Sequence, residues 1–74
     1  MVADGGPDQR LAELIAEARY AADRVALYRQ RVYRGAGDSR RLAELERIAA
    51  GAQERLERHR AAAERAGERA AGDR

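Results

Sequence analysis

The chain has no cysteine, lysine, tryptophan or phenylalanine, and only one proline, one methionine and one histidine. Without cysteine it has neither a disulfide frame nor a thiolate for metal binding or nucleophilic attack. His59 has no second histidine to share a metal with, and no ligand-spaced cluster of His, Cys and carboxylates occurs. Ser39 is the one serine, and it stands where a helix cap is expected. No glycine-rich phosphate loop follows a strand, because no stretch alternates as a strand would. The chain therefore reads as non-enzymatic, with no catalytic residues, no metal ligands and no cofactor.

Long apolar runs are missing too. Nothing approaches the roughly 18 residues needed to cross a bilayer. The opening Met1-Val2-Ala3-Asp4-Gly5-Gly6 lacks the basic start and apolar stretch of a signal peptide. These features predict a cytoplasmic protein with no membrane partner.

What is present is helix-forming and strongly charged. Hydrophobic residues are 45% of 74, but 18 of them are alanine and only eleven are Val, Ile or Leu. A core so small is worth about 3–5 kcal/mol at most, so association is the expected source of further stability. All 15 cationic side chains are arginine, and the net charge is +2. That charge is unevenly placed. Residues 1–23 carry −3, residues 24–43 carry +5, and residues 44–74 are balanced.

Two amphipathic helices account for most of the chain. Pro7 suits a first helical position and Asp8 the positive pole of a helix start. Leu11, Leu14, Ile15, Ala18, Ala22, Val25, Tyr28 and Val32 then recur in steps of three and four, and Gly35 is a natural C-terminal cap. A helix over 7–34 is predicted, with 1–6 a flexible tail. After a turn at 35–38, capped by Asp38 or Ser39, a second apolar stripe runs Leu42, Leu45, Ile48, Ala49, Ala52, Leu56, His59 and Ala63. This predicts a helix over 39–66. Residues 67–74 lose every large apolar side chain and are expected to fray.

A connection this short makes the helices antiparallel neighbours. Folding about it pairs positions whose numbers sum to about 74, such as Val32 with Leu42, Ala18 with Leu56 and Leu11 with Ala63. Two stripes found separately agree on one register. The predicted fold is all-α: an antiparallel, coiled-coil-like two-helix hairpin that associates into a helical bundle. The pentapeptide Arg-Leu-Ala-Glu-Leu occurs at both 10–14 and 41–45, and we read it as convergence on good helix formers rather than as a repeat.

Two surfaces are candidates for function. On the first helix Tyr20 and Leu27 lie seven residues apart, off the core stripe, with Ala16 extending the line and Tyr33 beside it. A lone hairpin has no use for large apolar groups there. Ala16, Tyr20, Leu27 and Tyr33 are the predicted protein interface, for a second copy or for a partner's helix in a regulatory or interaction role. The other candidate is the turn, where Arg24, Arg29, Arg31, Arg34, Arg40 and Arg41 surround Tyr28 and Tyr33. Cations suit the end of the first helix, but Arg40 and Arg41 occupy the start of the second, where positive charge is unfavourable. Arginine forks grip phosphates and tyrosines stack on bases, so nucleic acid or a phosphate ligand is the alternative partner.

Overall fold

A computed structural model describes residues 6–72. Two helices make up the fold, α1 (Gly6–Tyr33) and α2 (Ser39–Gly72), packed antiparallel as a hairpin. The predicted tail falls mostly on residues 1–5, and residues 73–74 of the predicted frayed end likewise lie outside the described part.

The turn is built from local chemistry at both helix ends. Gly35 has φ of 78°, the left-handed conformation that closes a helix with little cost only for glycine. Its N–H donates to the Val32 carbonyl at 3.0 Å and the Ala36 N–H to the Arg31 carbonyl at 2.8 Å. This pair of bonds is a Schellman cap. Asp38 then starts α2. Its Oδ1 accepts from the Arg40 N–H at 3.0 Å, so Asp38 rather than Ser39 supplies the cap. The Asp38 N–H in turn donates to the Tyr28 hydroxyl at 2.8 Å. Gly37 is needed for space: a Cβ there would lie 2.9 Å from both Val32 Cγ2 and the Val32 nitrogen.

Among the described residues the buried side chains are Leu14, Ala18, Ala21, Val25, Leu45, Ala52 and Leu56. Leu14, Ala18 and Ala21 pack on Ala52 and Leu56, flanked by Leu11, Ile15 and Ala49. Ala18 beside Leu56 and Ala21 beside Ala52 keep the predicted register. Three expected core positions, Ala22, Ile48 and Ala63, are exposed. Ala21 is buried in place of Ala22, about 100° away round α1.

Helix α2 does not stop at residue 66 as its loss of large side chains predicts, but continues to Gly72. Alanine, glutamate and arginine are strong helix formers, and one glycine at 67 costs only about 1 kcal/mol. The extension makes no core, since every residue from 62 to 72 is exposed. No helix among the described residues is long and apolar enough to cross a membrane.

The Cα atoms span 60 × 31 × 13 Å. The shortest extent is about one helix across, so the hairpin is a single layer with both broad faces open. Its accessible surface is 5807 Å², against about 4,500 Å² expected for a compact monomer of 8.2 kDa. Part of that excess, roughly 1,300 Å² on the same scaling, belongs to the projecting end of α2.

Candidate interaction surface

Three of the four large apolar groups left exposed among the described residues lie on one broad face. Tyr20 and Leu27 are each 66% exposed, and Ile48 of α2 is 48% exposed. Tyr20 and Ile48 line one groove between the helices, floored by Ala21 and Ala52 and flanked by Glu17, Arg24 and Arg55. Leu27 lines the adjoining stretch with Tyr28 and Leu45, among Arg24, Arg31 and Arg41. Arg24 borders both, so they form one groove running toward the turn. Seven residues make nearly two turns, which keeps Tyr20 and Leu27 in one line. Ala16, exposed and one turn before Tyr20, extends that line.

Tyr33 does not belong to this surface. It is 82% exposed, but six residues beyond Leu27 place it about 120° away round the helix. Ile48 is the residue that sequence reasoning placed in the core instead of here. The signal was available: Ile48 lies about 70° from the middle of the line through Leu45, Ala49, Ala52 and Leu56.

The arginines around the turn do not converge on one site. Arg24 and Arg31 lie over tyrosine rings, with Cζ 5.7 Å from the Tyr20 centroid and 5.9 Å from that of Tyr28. These cation–π contacts hold both guanidinium groups along the rim of the apolar groove. Arg41 pairs with Glu44 at 2.9 Å, and Arg29 reaches across the helices to Glu46 at 3.0 Å. Exposed pairs of this kind are worth about 0.2–1 kcal/mol each. Arg34 and Arg40 have no ion pair among the described residues. Arg40, Arg41 and Arg47 share a shallow pocket with Asp38, Ala43 and Glu44 at the start of α2.

At the open end of the hairpin, half-buried His59 lines a groove with Leu11, Ala63, Asp8, Arg60 and Glu64. Among the described residues no group of three or more His, Cys, Asp or Glu is placed to hold a metal ion. The groove on the Tyr20 face thus offers an apolar strip with a charged rim.

Comparison with protein-family models, with curated proteins and with solved structures finds no match.

Proposed function

We propose that this chain is a non-enzymatic helical interaction module that binds a second copy of itself through the Tyr20–Leu27–Ile48 face, joining two hairpins into a four-helix bundle. The observation that carries the proposal is the placement of Tyr20, Leu27 and Ile48 along one groove of a layer only 13 Å deep. The hairpin's own core supports it by being small: three of the buried residues, Ala18, Ala21 and Ala52, are alanines. Folding and association are then linked, because the dimer stabilises only the folded chain. A standard interface takes about 800 Å² from each partner, and the surface in excess of a compact monomer is of that order.

Sedimentation equilibrium over a range of concentrations tests this. A dimer whose population follows mass action, and whose helicity falls as it dissociates on dilution, is the expected result. A cooperatively folded monomer at roughly 100 μM, a concentration that would populate any dimer of micromolar Kd, overturns it.

A second reading concerns the basic turn. Among the described residues Arg34 and Arg40 have no carboxylate partner and Arg31 is stacked rather than paired, which favours an anionic ligand such as nucleic acid or a phosphate group. Binding of labelled RNA and DNA across a salt series is the test. Unchanged affinity and salt slope in an Arg40→Ala/Arg41→Ala variant sinks that reading.

A further inference from the structure

We infer that the second copy lies antiparallel along α1, with the two-fold axis passing close to the Asp23–Arg24 step. This rests on the self-association proposed above and gives it a geometry. Two independent features of α1 meet at that step. The midpoint of the apolar line between Tyr20 and Leu27 falls between residues 23 and 24. The charge of α1 changes sign at the same place, from −2 over residues 6–23 to +3 over residues 24–33.

The charges that matter continue the apolar line or flank it. Glu13 and Arg34, each seven residues beyond Tyr20 or Leu27, extend the line at its two ends, while Glu17 and Arg31 flank its N- and C-terminal halves. An antiparallel copy sets Glu13 and Glu17 against Arg34 and Arg31 of the second copy, twice over by symmetry. It also places Tyr20 beside Leu27 of the second copy, an aromatic against an aliphatic group. A parallel copy would instead stack glutamates on glutamates and arginines on arginines along the whole contact. Like charges juxtaposed in that way disfavour the arrangement.

The intramolecular partners of these groups leave them free to exchange. Glu13 is held by Arg10 at 3.4 Å and Glu17 by Arg55 at 3.9 Å, both exposed and both long. Arg31 rests on the Tyr28 ring, and Arg34 has no ion pair among the described residues. From Glu13 to Arg34 the contact extends for roughly 30 Å of helix, which is enough length for a standard interface.

Cysteine cross-linking gives a direct test, since the native chain contributes none. Ala16, Asp23 and Arg31 are all exposed, and far-UV circular dichroism confirms that each variant keeps its helices. Asp23→Cys, next to the axis, is expected to link to its own copy under mild oxidation. Ala16→Cys is not, because its equivalent sits on the order of 20 Å away along the helix, beyond the ~7 Å Cα reach of a disulfide. A mixture of Ala16→Cys and Arg31→Cys is expected to yield the mixed disulfide. In parallel, raising salt from low to high ionic strength should weaken the dimer by roughly tenfold, as four exposed ion pairs are screened.

Self-linking of Ala16→Cys, no self-linking of Asp23→Cys, no mixed disulfide, or a dimer that strengthens with salt would each overturn the antiparallel arrangement. A protein that still sediments as a dimer while showing the parallel pattern sinks only the orientation. A protein that stays monomeric at every concentration sinks the self-association as well.

Discussion

Replacing Leu27 by Gln should shift the bundle toward dissociation by removing an interface contact rather than by weakening α1. Glutamine has almost the same helix propensity as leucine, so α1 itself loses little. Full burial of a leucine side chain contributes about 1.5–3 kcal/mol, and Leu27 is 66% exposed in the single hairpin. Covering that remainder is worth about 1–2 kcal/mol per copy, or about 2–4 kcal/mol per dimer, since a two-fold interface uses each residue twice. The dissociation constant should therefore rise roughly 30- to 700-fold. Tyr33→Gln supplies the control. Tyr33 is the more exposed residue at 82%, yet it points away from the Tyr20–Leu27 line, so its replacement should leave the constant unchanged within about twofold. Sedimentation equilibrium of the three proteins under one buffer condition measures all of this. Equal effects from the two substitutions, or a larger one from Tyr33, would refute the assignment of the interface to the groove face.

The turn gives two further tests, both read at fixed protein concentration because association and stability are linked. Gly37→Ala should lower stability in urea by about 1–3 kcal/mol, since its Cβ meets Val32 backbone as well as side chain and neither can yield cheaply. Gly35 differs: nothing lies within 4 Å of a Cβ there, so only the φ of 78° opposes substitution. Gly35→Asn should thus be milder than Gly35→Ala, which costs about 1–2 kcal/mol, and equal losses for the two would contradict this account. Tyr28→Phe removes the acceptor for the Asp38 N–H and should cost about 0.5–1.5 kcal/mol. Amide exchange at Asp38 should quicken in that variant; exchange at the native rate would mean the bond contributes nothing.

The features legible in the sequence are those decided by spacing along one helix. Leu14, Ala18, Val25, Leu45, Ala52 and Leu56 can be found from periodicity, and Gly35 from its position after the last apolar step. What spacing leaves open is the angle at which two helices meet. Ala21 and Ala22 are chemically identical neighbours, and only the rotation of α1 against α2 decides which is covered. The same rotation decides how far Ile48 is covered, whereas the 120° between Tyr33 and Leu27 follows from their spacing along α1. Tyr28 and Gly37 were hidden for another reason. A hydroxyl ten residues from the N–H it accepts, and a Cβ that would strike the preceding helix end, are relations across the turn with no local signature.

The rotation also bears on the proposed self-association. Of the large aliphatic residues, Leu14, Val25, Leu45 and Leu56 are buried, while Leu27 and Ile48 are not. A pair of helices touches along one seam only, so no rotation could cover both sets at once. Turning α1 to bury Leu27 would expose Leu14 and Val25, which lie more than a quarter turn away, and the exchange would gain nothing. The apolar side chains thus exceed what a two-helix seam can hold, and the exposed aliphatic pair, Leu27 and Ile48, lies on one face. In the proposed dimer, α1 of a second copy brings to that face an apolar line and a reversed order of charge.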